Sequence, residues 1–122
     1  MADTTPDELV RAFCAAWGTA STDELLAYFH DDAVYHNVPL DPAEGLDAIR
    51  GVIEMFAGMA SSITFEVHHQ VASGSIVMNE RTDTIAMDGR TVALPVAGVF
   101  VVDGGKIRRW SDYFDMGQFT GS

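Results

Sequence analysis

The chain has 122 residues, 48% of them hydrophobic and 20% charged, and its 18 acidic against 7 basic residues leave a net charge of −11. That length and composition fit one globular domain, 1–122, large enough for a core of its own, and exclude a disordered chain. The negative balance argues against nucleic-acid binding and against polybasic membrane attachment, because such a surface repels phosphate backbones and anionic lipids.

Thr5-Pro6-Asp7-Glu8 has the form of a capping box with Pro at the first helical position. Leu9, Val10, Phe13, Cys14 and Trp17 then recur at helical spacing, up to Gly18. Ser21-Thr22-Asp23-Glu24 repeats the box and opens a short second helix carrying Leu25, Leu26 and Phe29. One early strand is predicted near 33–38. A third helix is predicted to begin near Gly45, with Ile49, Val52, Ile53, Phe56 and Met59 or Ala60 as its apolar stripe.

Period 2 then takes over. Ile63, Phe65, Val67, His69 and Val71 are expected on one face of a strand that ends at Gly74. Further strands are predicted from about Ile76 to Met87, Thr91 to Val102 and Lys106 to Asp115, joined by turns at Asp88-Gly89 and Asp103-Gly104-Gly105. Helices followed by long antiparallel strands give an α+β class. A strongly curved sheet with about three N-terminal helices across its open side would form a cone around an apolar pocket.

The strand parities carry the chemical signal. On the second of these strands Val77, Asn79, Arg81, Asp83, Ile85 and Met87 share a face. On the last, Trp110, Asp112 and Phe114 share one, opposite Ile107, Arg109, Ser111 and Tyr113. Arg81, Asp83 and Asp112 are therefore predicted to point into the apolar interior, where unpaired charge is costly and the three should pair. One Arg between two carboxylates is a common structural network. It is also a way to keep one carboxyl protonated and the other ionised at neutral pH, an acid and a base side by side. Tyr35 and Asn37, two apart on the early strand, project to one side and could hold a water, or belong to an ordinary edge strand before Pro39.

These pieces occur in an order that resembles the limonene-1,2-epoxide hydrolase family, within the wider NTF2-like (SnoaL-like) cone-fold group. The segments are Tyr35-His36-Asn37-Val38-Pro39, Glu80-Arg81-Thr82-Asp83, Leu94 to Phe100, and Gly104 to Asp115. The resemblance implies a strongly curved, mixed but mainly antiparallel sheet. It also implies one-step hydrolysis of a hydrophobic epoxide to a vicinal diol. In that implied mechanism Asp83 protonates the epoxide oxygen, Asp112 activates water, Arg81 bridges the two, and Tyr35 and Asn37 hold the water. No cofactor and no metal are implied. The partners expected are a small hydrophobic epoxide and water, with a homodimer as the assembly. The walls expected to contact substrate are Ile85, Phe114, Trp110, Met59 and Phe56. The alternatives are a ketosteroid isomerase- or polyketide cyclase-like enzyme and a non-catalytic hydrophobic-ligand binder of the same fold.

Other signals are weaker. Adjacent His68 and His69 are expected on opposite faces of their strand and so could not chelate one ion together. Cys14 is expected in the core and cannot form an internal disulfide. No basic, apolar leader and no apolar run of membrane-spanning length is visible, and a cytoplasmic setting is expected.

Overall fold

The computed structural model describes residues 4–120. Helix α1 (Pro6–Ala16) and helix α2 (Thr22–Leu26) both start at capping boxes. Thr5 Oγ1 accepts the Glu8 N–H at 3.1 Å while Glu8 Oε1 accepts the Thr5 N–H at 3.0 Å. Ser21 and Glu24 make the same exchange. Each cap is worth about 1 kcal/mol. The remaining elements are β1 (Phe29–Asn37), β2 (Ala43–Glu44), α3 (Leu46–Met59), β3 (Ala60–Ser73), β4 (Ile76–Met87), β5 (Arg90–Asp103), β6 (Lys106–Tyr113) and α4 (Met116–Thr120).

The strands form one curved sheet in the order β2-β1-β6-β5-β4-β3. All neighbours are antiparallel except β1 and β6, which run parallel. The fold is thus α+β with a mixed, mainly antiparallel sheet, as the strand pattern and the resemblance indicated. Helix α1 packs across β3 and β4, and α3 packs on β1 and β3. Phe13 sits at the centre of the core they close. Its ring meets Trp110 edge-on at 4.9 Å, Phe29 at 5.4 Å and Phe100 at 6.3 Å. A smaller cluster of Val92, Leu94 and Val96 lies further along β5, against Met87, Phe114 and Phe119.

Four expectations from periodicity are corrected, each by tertiary pairing. Phe29 does not continue α2: the Tyr28 carbonyl accepts the Ile107 N–H at 2.7 Å, and Phe29 opens β1 opposite Ile107. In β3 the register to β4 shifts between Val67 and His69. The extra residue inverts the side-chain alternation beyond it. Ile63, Phe65 and Val67 stay half-buried on the inner face, whereas His69 and Val71 are exposed and Gln70 turns inward. His68 and His69 therefore share the outer face, where His68 pairs with the Thr82 hydroxyl and His69 with Glu80. The two side chains do not point apart as expected. Likewise the β5–β6 register shifts at Arg108, so Ile107 is fully buried beside Trp110 and not opposite it. Finally, β6 stops at Tyr113. Asp115 Oδ1 accepts the Gly117 N–H at 2.9 Å and starts the short helix α4.

Candidate active site

Parity on β4 places Val77, Asn79, Arg81, Asp83 and Ile85 on the buried face. Asp112 on β6 reaches the same interior through β5, the strand between them. Arg81 is the junction. Its Nε donates to Asp83 Oδ1 at 2.9 Å and its Nη2 to Asp83 Oδ2 at 2.8 Å. Nη1 and Nη2 donate to Asp112 Oδ1 and Oδ2 at 3.1 and 2.7 Å. The Arg81 side chain is fully buried, with 7% of Asp83 and 4% of Asp112 exposed. The Phe65 ring lies 4.5 Å from the Arg81 guanidinium carbon and adds a cation–π contact.

The two carboxylates are not equivalent. Asp112 also accepts the Trp110 indole N–H at 2.6 Å, so three donors converge on it. Among the described residues, Asp83 receives donors from Arg81 alone. Burial pushes the Asp83 carboxyl up to about 6, with the Arg81 bonds pulling it back and the Asp112 charge adding to the rise. Burial disfavours the Arg81 charge, but Asp112 and Asp83 outweigh it and hold the guanidinium well above its ordinary value. One cation between two carboxylates leaves a net negative charge away from water, and a proton on one carboxyl relieves it.

Tyr35 and Asn37 come from β1, whose parallel pairing to β6 sets Tyr35 opposite Trp110 and Asn37 opposite Asp112. Tyr35 stacks on Trp110 with centroids 4.1 Å apart and planes 5° apart. Its hydroxyl is held well above the usual tyrosine range by burial first and by the Asp112 charge second. Tyr35, Asn37, Asp83 and Asp112 all line one cavity. Its remaining wall is apolar, including Ile85, Phe56 and Phe114 together with Trp17, Leu94 and Phe119.

Five polar residues singled out by parity and motif thus meet at one place, and Ile85, Phe56 and Phe114 stand around them. Met59 and Trp110 do not line the cavity. Met59 is 37% exposed at the end of α3, and Trp110 is fully buried behind the site, where its N–H serves Asp112. Sequence reasoning missed two further participants. Asn79 accepts from Arg81 Nη1 at 3.2 Å. Gly98 on β5 underlies the guanidinium: a Cβ there would stand 2.5 Å from Arg81 Nη1 and 2.9 Å from Asp112 Oδ1. A glycine inside an otherwise regular strand was the available signal for such a close approach. Among the described residues, no group of three or more His, Cys, Asp or Glu could hold a metal ion, and no helix is long and apolar enough to cross a membrane.

The SnoaL-like domain model matches residues 10–110. Epoxide hydrolase EphG of Mycobacterium tuberculosis (strain ATCC 25618 / H37Rv) is 38% identical over 112 residues, covering 88% of this chain and 71% of that protein. The structure of an M. tuberculosis LEH-like epoxide hydrolase superposes with a TM-score of 0.83 at 32% identity, over 95% of this chain and 87% of that one. A protein with a ketosteroid isomerase-like fold from Catenulispora acidiphila gives a TM-score of 0.84 at 22% identity, over 93% and 90% of the two chains, a likeness of fold alone.

Proposed function

The chain belongs to the SnoaL-like domain family, and on that premise we propose that it is an epoxide hydrolase of the limonene-1,2-epoxide hydrolase type. In this reading residues 1–122 act as one domain that joins water to a small hydrophobic epoxide to give a vicinal diol. The observation that carries it is the single guanidinium of Arg81 bridging Asp83 and Asp112 beside Tyr35 and Asn37 in an apolar cavity. The names of the M. tuberculosis relatives support the reaction class.

Water sits between Asn37, Tyr35 and Asp112. Asp112, as the carboxylate, takes one of its protons while the water oxygen bonds to an epoxide carbon. The carbon–oxygen bond of the ring breaks, and the proton held by Asp83 passes to the departing oxygen. The diol leaves with Asp112 protonated and Asp83 ionised, and a proton returns between the two carboxyls that Arg81 joins. No step uses a cofactor, and no alkoxide is formed free. Positioned acids and bases of this kind each contribute roughly 10²–10⁴ in rate. The apolar wall around Ile85, Phe56 and Phe114 favours a hydrophobic substrate.

The assembly proposed is a homodimer, for which Val71, Ile76 and Met78 offer an exposed apolar surface on β3 and β4. Light scattering checks it. A cytoplasmic setting accords with the lone buried Cys14 thiol. The function is tested by diol formation from a panel of hydrophobic epoxides, with wild type and Asp112→Asn compared. Turnover that vanishes in a folded variant supports the reading. No turnover by the wild type on any epoxide overturns it in favour of a ligand binder or of proton transfer next to a carbonyl.

A further inference from the structure

A guanidinium has five N–H donors. Four of those of Arg81 go to Asp83 and Asp112. The fifth, on Nη1, goes to Asn79 Oδ1 at 3.2 Å. Asn79 is buried, two residues before Arg81 on the same face of β4. Its amide nitrogen donates to Gln70 Oε1 at 3.1 Å and to Cys14 Sγ at 3.7 Å. Gln70 Nε2 in turn donates to the Asp7 backbone oxygen at 3.0 Å and to Asp7 Oδ1 at 2.8 Å. The chain of bonds thus runs from the two carboxylates to the first turn of α1. Its direction is set at one end, because Arg81 offers only donors and the Asn79 oxygen must face it. The β3 register shift supplies the other end, by turning Gln70 inward where unbroken alternation would have placed His69 and Val71.

We propose that Asn79, oriented by Gln70 and Asp7, is the positioning residue that fixes the Arg81 guanidinium in the one orientation bridging Asp83 and Asp112. The role rests on the hydrolase reading only in its effect on turnover. Asp83 and Asp112 stand on different strands, and a guanidinium free to turn can pair with one and leave the other buried without its cation. An amide oxygen anchors Nη1 without adding charge. A carboxylate at the same place would compete with both partners. Among the described residues, the ionisable groups that interact with Asp83 are Arg81 on β4, Asp112 on β6, Tyr35 on β1 and Cys14 on α1. A third carboxylate on Arg81 would therefore meet no further cation among the described residues.

The test is a ¹³C NMR titration of the Asp83 carboxyl in wild type, Asn79→Asp and Asn79→Leu, alongside steady-state kinetics. Asn79→Asp is expected to raise the Asp83 midpoint by about one pH unit or more and to move the alkaline limb of the rate profile with it. Asn79→Leu is expected to lower kcat about ten- to a hundredfold with KM unchanged, as for a misplaced group that does not touch substrate. An unmoved Asp83 midpoint in both folded variants overturns the proposal. Should neither fold, Gln70→Leu removes the support from outside, and a wild-type titration and kcat in that variant overturn it equally. The titration needs no substrate. A wild type that opens no epoxide but shows the shift defeats the hydrolase reading and keeps the positioning role, and the reverse pattern does the opposite.

Discussion

Asp83 and Asp112 share a single nitrogen: Arg81 Nη2 stands 2.8 Å from Asp83 Oδ2 and 2.7 Å from Asp112 Oδ2. Two carboxylates from strands separated by β5 are thereby coupled through one group that cannot lose its proton. Whatever protonates one is felt by the other, and pH limbs measured on this site belong to the pair.

Substitution of either carboxylate by its amide is expected to abolish most turnover. On the proposed mechanism Asp83→Asn would remove the proton donor and Asp112→Asn the base, so each should lower kcat by at least about 10². Circular dichroism confirms that the variants fold, and single-turnover kinetics reads the loss.

The stability of the protein should change with pH through Asp83. Its carboxyl rises from 3.8 in the unfolded chain to about 6 in the fold. Its contribution to stability is therefore fully present below pH 3.8 and lost as the pH rises through about 6. The full span corresponds to about 3 kcal/mol. Asp83→Asn has no such titration. Its melting temperature relative to wild type should be higher at pH 8 than at pH 5. A difference between the two proteins that is the same at both pH values would contradict this.

Trp110→Phe keeps an aromatic ring beneath Tyr35 but deletes the 2.6 Å bond to Asp112. A hydrogen bond to a charged group contributes about 1.5–3 kcal/mol. The variant should lose roughly that much stability, and on the proposed mechanism its rate should fall, because Asp112 is less firmly held. Thermal melts and kcat measured together check both.

Two glycine substitutions should act in opposite directions. Gly98→Ala forces a methyl against Arg81 Nη1 and Asp112 Oδ1, and should cost about 1–3 kcal/mol as overpacking does. Activity should fall with it. Gly58→Ala, in α3 with nothing within 4 Å of the added carbon, should raise stability by about 0.5–1 kcal/mol and leave turnover alone. Urea denaturation of the pair decides it.

Arg90 holds the last carbonyls of α4, at 2.7 Å to Phe119 and 3.1 Å to Thr120. Phe119 from that helix lines the cavity and meets Phe56 and Phe114. Arg90→Ala should leave stability within about 1 kcal/mol, since the contact is exposed, but raise KM for large epoxides. Michaelis curves for a small and a large substrate check the difference.

Local chemistry was legible in the sequence because it is written at short range. The capping boxes at Thr5 and Ser21 need only neighbours three residues away. The inward aim of Arg81 and Asp83 needs only strand parity along an unbroken β4, and the same parity held for Trp110 and Asp112 beyond the irregularity at Arg108. The rest depends on residues far apart in the chain. Parity cannot see the extra residues at His68 and Arg108, so it misplaced His69, Val71 and Ile107. Phe29 fitted a helix until a carbonyl found β6. That Arg81 reaches Asp112 at all, over a glycine 17 residues further on and with Asn79 completing its five bonds, follows from three strands in register, which only the tertiary structure sets.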